Sequence, residues 1–292
     1  MAIQSIDNLT ATTSAGKTSR ADWNKITGGV AYTAGRFYDF SSLAGFPIAN
    51  AWAGAALAWR PCDELTGNGT QAFGLPHGGN TTPDIKHLLN FGAQVTAATG
   101  VPGTLTLVDM EGYWPGITNN SAVSQSLTGV PAPRYANGAG LRLFQVQTVA
   151  GGATAQNMAL NYTNQAGTAG RVPPVTVAMT ASPIIGHISH SGIAANNYGP
   201  FLPLASGDSG VRNVASVTFS AANVGTSALV LAKPLAQITL GVAAMYHEKD
   251  LLNQIPSLPI IKDGACLTWI YTAGAATGAS TTFMGHTETV WG

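Results

Sequence analysis

At 292 residues the chain is long enough to bury a sizeable core as one large β domain or two smaller ones, and its 13 basic and 13 acidic residues cancel. Zero net charge removes the electrostatic footprint expected of a nucleic-acid binder or of a polybasic membrane patch. Only 9% of residues are charged, against about 25% in an ordinary soluble domain, while glycine alone contributes 35, so the surface is expected to be polar without being ionic and much of it to lie against other protein chains. The same composition also fits a secreted β protein.

The opening MAIQSIDNLTATTS has no basic segment followed by an apolar run, and no stretch approaches the roughly 18 apolar residues of a spanning helix. The expectation is a protein made and kept in a cytoplasm. Cys62 and Cys266 stand far apart without a CxxC neighbour, which reads as two buried thiols, with a disulfide between them as the lesser reading.

Residues 1–30 are rich in Thr, Ser, Ala and Gly, with Ile3, Ile6 and Leu9 as apolar anchors, and read as an N-terminal arm that orders on a neighbour. Residues 31–292 read as one β-rich domain with a sub-boundary near 120–140. Residues 31–60 hold an aromatic cluster of core type that includes Trp52 and Trp59. Thr82, Pro83 and Asp84 look like a helix start, and Ile85, Leu88, Leu89 and Val95 give it a partial stripe, so a helix is predicted over 84–99 with Thr82 as its cap. A strand follows from 104 to 109, then a turn at EGYWPGITNN. Alternation predicts a strand over 141–149, with shorter ones at 158–162 and 175–179. Residues 211–220 alternate, and SALVLA at 227–232 is apolar throughout, as suits a strand covered on both faces. These two read as an antiparallel hairpin at the centre of the core, ended by Lys233-Pro234 and followed by a short strand over 235–240. A second helix is expected over 243–255 and a late strand over 265–271.

Four stretches suggest chemistry. GDSG at 207–210 matches the nucleophile segment of trypsin-like proteases, with Ser209 as attacking residue. Val211 and Arg212 follow where that family has a glycine and a proline, so a tight turn opening the strand is preferred. His187 and His190 have metal-ligand spacing for a helix, but their Pro- and Gly-rich flanks favour a loop or strand, and a structural pair is preferred. AGKTS at 15–19 echoes the end of a phosphate-binding loop without its first glycine or preceding strand. Asp109 and Glu111, beside Tyr113 and Trp114, have the composition of a glycosidase pair; the preferred reading is solvated turn carboxylates. No catalytic, cofactor-binding or metal-ligating residue is therefore assigned, and no enzyme activity or cofactor is expected.

The segments LPLASGDSGVRNVASVTFS, ALVLAKPLAQITL, LPIIKDGACLTWIY, APRYANGAGLRLFQVQT and the closing ETVWG resemble a type of virion protein of tailed bacteriophages, over residues 134–292. That resemblance implies a structural role in a particle and carries no functional residue with it. The resulting expectation is an all-β or β-rich protein with a β-sandwich or jelly-roll-like core and one or two short helices. It is expected to be a multi-copy capsid decoration or cement protein on the head, assembled in the host cytoplasm. Its expected partners are other copies of itself and capsid protein, with no nucleic acid or membrane. A major capsid subunit or tail protein is the alternative within that class, although the predicted helix over 84–99 is short for the spine of the common capsid fold. A host-surface carbohydrate-binding protein, suggested by Trp52, Trp59, Tyr113 and Trp114, is the alternative outside it.

Overall fold

The structure, a computed structural model, describes residues 3–120, 122–190, 199–250, 252 and 258–292. Helix α1 (Ile6–Ser14) leads into β1 (Thr18–Ile26), β2 (Phe37–Asp39), β3 (Ala44–Phe46), β4 (Arg60–Pro61), β5 (Lys86–Val95), β6 (Gly103–Thr118), β7 (Gln125–Ser126) and β8 (Arg142–Val149). The chain continues through β9 (Gln156–Asn164), β10 (Val177–Met179), β11 (Val211–Phe219), β12 (Thr226–Leu240), β13 (His247–Asp250), β14 (Ile260–Ile261), β15 (Leu267–Ala273) and β16 (Thr282–Trp291). This is the β-rich, sandwich-like architecture that composition and alternation predict.

The strands form three antiparallel sheets. The first runs β13-β5-β16-β1-β3 with β14 also on β5; the central one runs β2-β15-β6-β12-β8 with β4 also on β6; the third runs β10-β9-β11-β7. Three apolar clusters fill the space between layers and loops. Trp23, Phe91, Val95 and Phe283 of the first sheet meet Leu105, Leu107, Trp269, Ile238 and Leu240 of the central one. Met158, Leu160, Val217 and Phe219 of the third meet Trp114, Leu143, Leu229 and Leu231. The opposite side of this part of the central sheet buries Val108, Met110, Phe144, Val146, Ala228 and Val230 with Cys62, Phe73 and Ile188 from loops.

Several expectations change. Residues 211–219 and 226–240 do not pair: β11 lies in the third sheet against β9 and β7, and β12 lies in the central sheet between β6 and β8. Burial explains the separation. β11 buries one face and belongs in an outer layer, whereas Ser227 to Ala232 are buried throughout and require cover on both sides. The link between them turns a corner held by Asn223, whose Oδ1 accepts from Gly152 N at 3.0 Å and whose Nδ2 donates to Thr154 O at 3.0 Å. Pro234 does not end β12. Pairing with β8 stops at Ala232, so the proline falls where β12 has only one neighbour and its missing N–H leaves no partner unsatisfied.

Nor does EGYWPGITNN break β6, because Pro115 and Gly116 sit in a bulge between the pairs Leu229↔Trp114 and Ser227↔Ile117. The helix predicted over 84–99 is instead β5, in which Phe91, Ala93 and Val95 bury alternate positions against the core. Of the helix predicted over 243–255, residues 247–250 form β13 on β5, and 251 and 253–257 lie outside the described residues. Within residues 1–30, Ser5 caps α1 through a bond from Asn8 N at 3.1 Å. β1 then pairs with both β16 and β3 and buries Ala21, Trp23 and Lys25, so this segment orders on its own chain.

Candidate functional site

Each stretch singled out for chemistry is tied into the scaffold. Gly207 adopts φ +84° in the turn before β11, as only glycine does without strain. Asp208 then faces inward, accepting from Tyr162 Oη at 2.6 Å, Asn164 Nδ2 at 2.7 Å and Arg171 Nε at 2.9 Å. The bond from Arg171 is the main reason its carboxyl is held down at about 2. The amides of Ser209 and Gly210, which a protease would aim at an oxyanion, both donate to Gln165 Oε1, at 3.0 and 3.2 Å. Ser209 itself is exposed. GDSG is thus an Asp-anchored turn.

Lys17 follows the C-terminal end of α1 and pairs with Asp84 at 2.6 Å. That is the wrong helix end for a phosphate, which binds where free N–H groups point outward. His187 and His190 lie in a loop and are fully buried, with the His187 ring 5.2 Å from Tyr38. Burial pushes both imidazoles down to about 3, so they are neutral. Among the described residues none of their four ring nitrogens has a hydrogen-bond partner, and no group of three or more His, Cys, Asp or Glu is arranged around a metal position.

Asp109 and Glu111 are not solvated turn carboxylates, because β6 carries both into the interior. Arg134 Nη2 donates to Asp109 Oδ1 at 2.6 Å, and the Arg134 amide donates to both Glu111 oxygens at 3.2 and 3.1 Å. Asp109 also accepts from Tyr135 Oη at 3.1 Å and from Cys266 N at 2.9 Å. Burial raises Glu111 to about 7 even though Arg134 pulls the other way. A second buried network went unforeseen because it joins loop residues to β5 with no spacing signal. His77 N donates to Glu64 Oε1 at 2.6 Å, His77 Nε2 lies 2.9 Å from Ala265 O, and Lys86 Nζ lies 2.8 Å from His77 Nδ1. An ammonium donating to Nδ1 leaves the ring proton on Nε2, directed at the carbonyl.

The aromatic residues proposed as a sugar platform are structural. Tyr113 and Trp114 are fully buried; Trp59 packs on Trp114 at 4.5 Å and Trp52 on Tyr113 at 5.0 Å. One open concavity lies elsewhere, on the outer face of the first sheet. It encloses about 710 Å³ and is lined by Arg20, Asp22, Asn24, Phe46, Tyr246 and His286 among others. The Tyr246 ring lies over Gly92, where any side chain would collide with it, and runs parallel to the His286 ring at 5.6 Å.

No family model and no curated protein matches the chain. Among solved structures it is weakly similar to the infectious bursal disease virus VP2 subviral particle. There the identity is 10%, 94% of this chain and 80% of that chain are covered, and the TM-score is 0.16. Against the T=1 particles derived from the same virus the identity is 12%, with 94% and 77% covered and a TM-score of 0.18. Both TM-scores lie far below those of a shared fold. Among the described residues no helix is long and apolar enough to cross a membrane.

Proposed function

We propose that this chain is a multi-copy structural component of a virus particle, coating or cementing the head of a tailed bacteriophage and contacting copies of itself and capsid protein. The observation that carries the reading is where the chain keeps its ionic and apolar groups. Asp109, Glu111, Arg134, Glu64, His77 and Lys86 are locked inside, while Leu65, Val123, Val130 and Ile48 are exposed on a surface with few charges. The edge strand β3 is exposed at all three positions and leaves one side of its backbone open beside Phe46 and Ile48, as suits the addition of a neighbouring chain. The segments that resemble tailed-phage virion proteins agree with this role. A purely structural function also accords with the two histidines and the two carboxylates being buried, and with the Ser209 amide being bonded to Gln165. Quantitative mass spectrometry and imaging of purified particles test the proposal: many copies on the head are expected. Absence from mature particles would overturn it, and a few copies on the tail would move the assignment to a tail protein.

A second reading, binding of host-surface carbohydrate, is favoured by the groove under Tyr246. A half-exposed aromatic ring beside Asp22, Asn24 and Arg20 offers a sugar both an apolar face and hydroxyl partners. Specific binding on a glycan array, lost in Tyr246→Ala, would establish it; an empty array would remove it.

A further inference from the structure

Cys62 and Cys266, at opposite ends of the sequence, are brought together on one edge of β6. Strand β4 runs along that edge opposite Tyr113 and Gly112, and β15 runs along it from Asp109 downward. The two cysteines fill the gap where these strands meet end to end. Cys62 N donates to Glu111 O at 3.0 Å, and Cys266 O accepts from Met110 N at 2.8 Å. In a regular ladder, successive positions point to opposite faces. Here Glu111 is the extra residue of a bulge, skipped between the pairs Leu231↔Gly112 and Ala232↔Met110. Both thiols consequently enter the same apolar cluster, with Phe73, Met110 and Ile270, and both are free and buried. The loop carrying Phe73 and Gly74 closes over them so tightly that a Cβ on Gly74 would stand 3.0 Å from Cys266 Sγ.

We propose that this pair is an oxidation site, at which Cys62 and Cys266 join in an intramolecular disulfide when the folded protein meets a peroxide. One thiolate attacks a peroxide oxygen, the O–O bond breaks, and a sulfenic acid and water form. The second sulfur then attacks the sulfenic sulfur, the S–O bond breaks, and a second water leaves as the S–S bond forms. Two thiols lose two electrons in total and the peroxide gains them. The contact with Cys62 is the main reason that the Cys266 thiol holds its proton, with burial second, so reaction waits on opening of the loop over residues 63–80. The bond closes a loop of about 200 residues and restricts the unfolded chain accordingly. This inference does not depend on the particle reading.

The test uses the full chain purified under reducing conditions and treated with hydrogen peroxide. Intact mass should fall by two hydrogens per chain, thiol alkylation after denaturation should be lost at both cysteines, and a single peptide pair should carry the bridge. The melting temperature should rise by roughly 5–15 °C and return on reduction. Cys62→Ser and Cys266→Ser should each abolish the mass loss and the rise. The wild-type mass measurement decides the matter even if a variant folds poorly. Added oxygen atoms without loss of hydrogen, disulfide-linked dimers, or two cysteines that still alkylate would each overturn the proposal.

Discussion

Arg134 holds two buried carboxylates at once, and among the described residues neither is ion-paired with another cation. Replacing it by methionine keeps the volume and strands the charges, so Arg134→Met is expected to cost about 3–5 kcal/mol in chemical denaturation. The buried titratable groups also set a pH dependence. Glu111, ordinarily near 4.5, is raised to about 7 by burial, so between those values the folded chain keeps a proton that the unfolded chain has lost, and its contribution to stability falls as pH rises. His187 and His190 act in the opposite sense. Held at about 3 against an ordinary 6.5, they refuse protons that the unfolded chain accepts, and stability falls as pH drops below 6.5. Burial lowers His77, His87 and His286 as well, so five histidines act against the raised carboxyls of Glu111 and Asp39, and the melting temperature should fall on acidification from 6.5 towards 4.5. Glu111→Gln should steepen that fall, and His187→Gln combined with His190→Gln should make it shallower, with His77, His87 and His286 keeping its sign. A fall unchanged in the double variant would disprove the assignment. None of this was legible in the sequence, where Asp109 and Glu111 look like turn residues and their partner lies 25 positions from Asp109.

Strands were more legible than their partners. The unbroken apolar run in β12 announces burial on both faces, and its leucines are fully buried. Leu229→Ala or Leu231→Ala should cost about 2–5 kcal/mol through lost transfer energy and the cavity left behind. Which strand lies beside β12 is a tertiary fact, and its neighbour in sequence belongs to another sheet. Asn223, in the link, looks like a replaceable turn residue. With its amide bonded to Gly152 and Thr154, Asn223→Ala should instead cost about 1–3 kcal/mol by leaving those groups unpaired. Thr82-Pro83-Asp84 ahead of β5 and the spacing of Leu88 and Val95 within it imitate a helix, and the consecutive apolar pair Leu88-Leu89 masks the alternation of Phe91, Ala93 and Val95 that identifies a strand. The amino-terminal segment divides in the same way. Of α1 only Leu9 is buried, so deleting residues 1–16 should leave a folded chain with an intact circular-dichroism spectrum. Deletion through residue 26 removes a strand lying between β16 and β3, together with Trp23, and should yield insoluble protein.

At the scale of the molecule, low charge has a measurable consequence. In the proposed particle, contacts among subunits would rest little on ion pairs, so self-association should change little between about 0.1 M and about 1 M salt in sedimentation experiments, although the Debye length shrinks about threefold. Ala44→Lys with Ile48→Lys places charges on the open edge and should weaken association without lowering the melting temperature. Strong salt dependence, or no response to these lysines, would exclude this edge as the joint. The long ribbon of β6 and β12 contributes side chains to all three apolar clusters, through Leu105, Met110 and Trp114 on one strand and Leu240, Val230 and Leu231 on the other. Opening any one of the three clusters therefore exposes side chains of the same two strands. Amides in this ribbon should exchange with deuterium only when the whole chain opens. Under internal pressure, a wall assembled from such units would part along its seams and leave each unit whole.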